Sequence, residues 1–105
     1  MRVLFVSVNQ SYESSMSMSQ LARCAERAWP ISLPKAQSCD RVVAVFHERP
    51  LASWEAHGAY LTDEVYSTTG GDRARVGVVL GDPVPLRPEY FTTPALRRGV
   101  AVIEF

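Results

Sequence analysis

The sequence is short of several things at once. Eleven Lys and Arg are matched by eleven Asp and Glu, so there is no net charge. Without a positive excess the chain lacks the field that drives indiscriminate binding to nucleic acid, although a local basic face remains open to it. Lysine is nearly missing, since ten of the eleven basic residues are Arg and only Lys35 is Lys. The cations are therefore mostly planar forks suited to phosphate and base edges. Cysteine occurs twice, at Cys24 and Cys39, with no C-x-x-C pair. Together with His47 and His57 the spacing fits no zinc module, so both thiols read as reduced small hydrophobes and no metal or cofactor is expected. No apolar run approaches the roughly 20 residues of a membrane-spanning helix. The opening Met1–Val8 lacks the apolar stretch and cleavage site of a signal peptide, and a cytoplasmic location without a membrane partner is the expectation.

Catalytic signatures are absent too. There is no G-x-S-x-G, H-E-x-x-H, P-loop or G-x-G-x-x-G, and the loop acids Asp63, Glu64 and Asp82 show no paired spacing. The expectation is a protein that is not an enzyme.

What is present fits one domain over residues 1–105, of 11.7 kDa with 47% hydrophobic residues. A chain of that size buries about two thirds of its unfolded surface, enough for one core. Residues 2–8 are β-branched and aromatic and read as a buried opening strand. Residues 9–18 read as a loop. Residues 17–28 carry Met18, Leu21, Cys24, Ala25 and Ala28 on one helical stripe, with Ser17 or Ser19 as the cap and Pro30 just beyond. Residues 33–38 allow one more helical turn, with Pro34 near its start. After residue 40 the period changes to that of strands, at 41–47, 50–61, 74–80 and 99–105. Between them, 62–73 is polar with Gly70-Gly71 and reads as a long mobile loop. The four prolines from 83 to 94 make 81–94 read as a stiff, irregular connection. The expected fold is α+β: a small, partly closed, mostly antiparallel β-barrel of about five strands, with one main helix after the first strand.

The aromatics carry the functional reading. Tyr12 lies in the first loop beside Asn9 and Gln10, Trp29 stands in an irregular segment, and Trp54 has small or polar neighbours. Rings with amides nearby suit a pocket for a planar heterocycle, where stacking contributes about 1–3 kcal/mol per base. The competing reading of each Trp is a core anchor.

Three stretches extend this. Phe5-Val6-Ser7-Val8-Asn9-Gln10-Ser11-Tyr12 is followed by Trp29-Pro30-Ile31-Ser32-Leu33-Pro34-Lys35-Ala36 and then by Cys39-Asp40-Arg41-Val42-Val43-Ala44-Val45. In that order they resemble the PUA-like superfamily, in its EVE and ASCH branches. Leu51–Trp54 matches the returning hairpin, and Arg75-Val76-Gly77-Val78-Val79-Leu80-Gly81 the Arg-Gly strand. Val78 and Leu80 stand where that strand ordinarily has an aromatic. The resemblance implies a partly closed barrel that binds DNA or RNA, with a modified or flipped-out base in an aromatic pocket. On this chain it implies base contacts from Asn9, Gln10, Tyr12, Trp29, Ser32 and Trp54, and phosphate contacts from Arg49, Arg73 and Arg75. Two other classes stand beside it. One is a small phage- or defence-associated protein binding a protein partner through a sheet edge or the 62–73 loop. The other is a nucleotide or RNA hydrolase of the ASCH type.

Overall fold

Runs of consecutive apolar residues bury both faces of a strand, and the two strongest runs here form the middle of the sheet. β1 (Arg2–Ser7) and β2 (Arg41–Phe46) each have four consecutive buried residues. They pair in parallel, from Val3 opposite Arg41 to Ser7 opposite Val45. A parallel pair needs a long crossover, and residues 8–40 supply it through α1 (Met18–Glu26) and α2 (Leu33–Gln37). The computed structural model describes residues 1–92, Leu96 and 99–105.

Ser17 caps α1 reciprocally: its Oγ accepts from the Gln20 amide at 3.2 Å, and its own amide donates to Gln20 Oε1 at 2.8 Å. This Ser-x-x-Gln box satisfies two groups that the first turn otherwise leaves open. The helix stops at Glu26, two residues short of the sequence expectation, and of its stripe only Leu21 and Ala25 are fully buried. β3 (Arg49–Thr68) and β4 (Gly71–Val84) form one long hairpin, and β5 (Val100–Glu104) returns antiparallel to β1.

The sheet order is β4-β3-β2-β1-β5, with one parallel and three antiparallel pairings. It is an α+β fold, as expected, but the sheet is not closed: among the described residues no pairing joins β4 to β5. Alternation along the central strands makes two cores. Leu4, Val6, Val42 and Ala44 face the helices and meet Leu21, Ala25, Trp54 and Val76. Val3, Phe5, Val43 and Val45 face the other way, where a 3-10 turn at Pro88–Thr92 places Tyr90 edge-on to Phe5, ring centroids 5.7 Å apart.

Two expectations about loops are corrected. The stretch 62–73 is strand on both sides of a two-residue tip, with Thr68 opposite Gly71. Its polar composition reflects an arm exposed to water, not an absence of pairing. Thr68 Oγ1 donates to the Gly71 carbonyl at 2.6 Å and accepts from the Gly70 amide at 3.2 Å, and Gly71 has φ +110°, a backbone region that favours glycine. Likewise 81–84 belongs to β4. Pro83 is tolerated there because β4 is an edge strand, where a missing N–H breaks no second ladder. Pro94, in the same expected connection, lies outside the described residues.

Register shifts interrupt β3/β4 between Trp54 and Ala56, between Ala56 and Gly58, and between Leu61 and Val65. Such bulges bend a strand pair and raise its twist. The arm curls over the helical layer, and the segment after α1 fastens it there. Trp29 and Val76 exchange two backbone hydrogen bonds of 2.9 Å. Arg27 reaches both Asp63 at 3.4 Å and Glu64 at 3.1 Å, in the widest bulge. Arg27's pKa is raised, chiefly by the hydrogen bond to Glu64.

Candidate functional site

Curling brings the hairpin tip back toward the far edge of the sheet. The result is a cleft of about 350 Å³ bordered by three separate segments: Ile31, Ser32 and Lys35 from the crossover, Tyr66 and Arg73 from the arm, and Val100–Val102 of β5. It adjoins a second hollow of about 420 Å³ beside Ser67 and Arg75. A third, of about 300 Å³, lies beside Leu33 and Leu61. Tyr66 borders all three. Volumes of this order are at the lower end of small-ligand pockets.

The pairing of the arm places the chemistry. Tyr66 and Arg73 are cross-strand partners, so their side chains share a face. Arg75, two residues along the same strand, holds its guanidinium 5.9 Å from the Tyr66 ring centroid, within cation–π range. Its Nη1 also donates to the Ala28 carbonyl at 3.3 Å. Arg75 is thus committed to positioning the ring and to tying the arm to the end of α1. Arg73 and Lys35 are exposed and form no ion pair among the described residues. No carboxylate is among the described residues lining the 350 Å³ cleft. The lining combines two free cations, one phenol ring and the hydroxyls of Ser32 and Thr68. Chemically this can bind an anion and lay a planar group against Tyr66.

Comparison with family models, with curated proteins and with solved structures finds no match for this chain.

Of the residues picked out in the sequence, the structure brings Ser32, Arg73 and Arg75 to these adjoining hollows. Trp29 immediately precedes the cleft segment and is partly buried against the main core. Its Nε1 donates to the Ala25 carbonyl at 2.9 Å, closing the end of α1. Trp54 is 3% exposed, deep in the core, and offers no open ring face. Asn9, Gln10, Tyr12 and Arg49 line none of the three hollows. Asn9 Oδ1 accepts from the His47 amide at 2.7 Å, bracing a turn in which His47 and Glu48 both have positive φ. Tyr12 packs edge-on to Phe46, centroids 5.0 Å apart. Gln10 and Arg49 are exposed.

The sequence gives no ligand contact to Lys35, Tyr66 or Thr68, although Lys35 stands in the Trp29–Ala36 motif. The available signal is the Gly pair flanked by Tyr66, Arg73 and Arg75, which reads equally well as a hairpin turn carrying ring and cations.

The thiols lie elsewhere. Both are free; Cys24 Sγ donates to Met16 Sδ at 3.8 Å and Cys39 Sγ to the Lys35 carbonyl at 3.4 Å. Burial pushes the Cys39 pKa up, which keeps it a protonated, unreactive thiol. Among the described residues no group of three or more His, Cys, Asp or Glu could hold a metal. None of their helices is long and apolar enough to cross a membrane.

Proposed function

We propose that this chain is a non-catalytic nucleic-acid-binding module that takes one base, modified or flipped out of its stack, into the cleft beneath the β3–β4 arm. One observation carries the reading. A reader needs cations gathered at one ring: Arg73 and Ser32 line the cleft beside Tyr66, and Arg75 stands in the adjoining hollow that the same ring borders. In this reading Tyr66 is the stacking platform that the sequence suggested in Trp29 and Trp54. Ser32 hydrogen-bonds the base edge, Thr68 Oγ1 accepts from it because its own proton goes to the Gly71 carbonyl, and Arg73 meets phosphate. Trp29 braces the segment that carries Ser32. The neutral chain supplies affinity through this local basic cluster and not through overall charge.

The finer fold assignment, a PUA-like domain of EVE or ASCH type with a partly closed barrel, is proposed together with this function. Its support is the order of the sequence motifs and the meeting of both sheet edges at one cleft.

The test is a titration of the protein against modified and unmodified oligonucleotides, DNA and RNA. Tyr66→Ala is expected to lose about 1–3 kcal/mol of affinity for the preferred one, the usual contribution of one stacked base. Undiminished binding by both Tyr66→Ala and Arg73→Gln would remove the cleft from the function.

A protein-binding module is the second reading, favoured by Leu61, Val65 and Val79, exposed at 60%, 59% and 46% on the same arm. Apolar side chains on an edge hairpin are a common protein contact.

A further inference from the structure

The charge of the cleft narrows the ligand further. This step rests on the nucleic-acid reading above. Lys35 and Arg73 face the same cleft from α2 and from the arm, and no described lining residue is a carboxylate. Arg75 lines the adjoining hollow and not this cleft, and its guanidinium is held by the Ala28 carbonyl and the Tyr66 ring. The cleft therefore presents two uncommitted positive charges. An internal phosphodiester supplies one negative charge per nucleotide. A phosphate monoester carries about 1.5 to 2 at neutral pH, together with three strong acceptor oxygens. Two cations from separate segments of the lining match the second ligand and overmatch the first.

Size points the same way. A hollow of about 350 Å³, bordered by β5 and by the arm, is small for a continuous strand. It suits one terminal unit whose ring lies against Tyr66 and whose phosphate sits between Lys35 and Arg73. We infer that the cleft takes a nucleoside phosphate monoester, so that the module reads a phosphorylated end. The same chemistry occurs in a free nucleoside monophosphate.

The experiment measures binding of the whole chain to single-stranded oligonucleotides of one sequence carrying 5′-phosphate, 3′-phosphate or only hydroxyl ends. Free nucleoside monophosphates and nucleosides form the parallel arm. One phosphorylated end is expected to bind at least tenfold tighter than the hydroxyl-ended strand. Lys35→Gln and Arg73→Gln, both at exposed positions, are expected to abolish that preference while the melting temperature holds. Equal affinity for phosphorylated and hydroxyl ends, with binding intact, overturns the monoester inference and leaves the module reading standing. Saturable binding of a nucleoside monophosphate, but not of its nucleoside or of any oligonucleotide, supports the monoester and overturns the module reading. Failure of every phosphorylated probe to bind overturns the monoester inference, and failure of the hydroxyl-ended strand as well overturns both.

Discussion

Removing the Trp29 ring separates its two possible uses. The indole is partly buried in the main core, its N–H holds the Ala25 carbonyl at the end of α1, and its backbone pairs with Val76. Truncating a buried Trp to Ala ordinarily costs about 3–5 kcal/mol through lost transfer energy and the cavity left behind. Partial exposure lowers that to about 2–3, and loss of the indole hydrogen bond adds about 1. Trp29→Ala is therefore expected to destabilise by about 3–4 kcal/mol, a large part of what a domain of this size holds in reserve. At roughly 4–8 °C per kcal/mol for a domain near 100 residues, the melting temperature should fall by roughly 12–32 °C. Trp29→Phe keeps most of the packing and loses only the N–H bond, so it should cost about 1 kcal/mol. Both variants can be compared by thermal and urea denaturation, followed by oligonucleotide titration at a temperature where each is folded. A Trp29→Ala protein that melts with the wild type but has lost its ligand would refute this account and return the ring to the base.

Two further predictions concern other parts of the fold. Ser17→Ala removes the reciprocal cap and should destabilise by about 1 kcal/mol, read as a lower melting temperature; an unchanged melt would mean that α1 is held by packing alone. For Cys39 the folded pKa is raised, so the native state retains a proton that the unfolded chain releases. The stability this represents is intact below the ordinary thiol pKa of about 9 and is lost as pH climbs through the raised folded value. Alkaline urea titrations should show that decline and should show less of it in Cys39→Ala, whereas identical slopes would place the alkaline sensitivity in other groups.

The parts of the fold that were legible are those where burial leaves a periodic mark. β1 and β2 are apolar on both faces, so no choice of register hides them. Ser17 with Gln20 is a local device that needs no tertiary context. The outer half of the hairpin is another matter: Thr62–Thr68 and Gly71–Arg73 are mostly exposed, and strands wetted on both faces show no alternation to read. Tyr66 was lost with them. The Trp residues misled for a related reason. Small and polar neighbours made Trp54 look like a wall of a pocket, but Ser53 is itself buried, its hydroxyl donating to the Val84 carbonyl at 2.8 Å. Bulges decided the rest. Three interruptions in one hairpin aim the arm over the helices, and nothing in the order of residues announces where an unpaired residue will fall.

The contacts of Arg27 with Asp63 and Glu64 have a consequence for solution conditions. They are exposed ion pairs at the base of the arm whose outer half forms one wall of the cleft. Ions in the medium weaken such pairs within about a Debye length, near 10 Å at 0.1 M. The same ions compete with any phosphate for Lys35 and Arg73. Ionic strength thus acts twice, once on the ligand contacts and once on the wall that carries Tyr66 and Arg73. Affinity should fall with salt more steeply than two phosphate contacts alone require, and neutralising Arg27 should bring the slope back toward that simpler value.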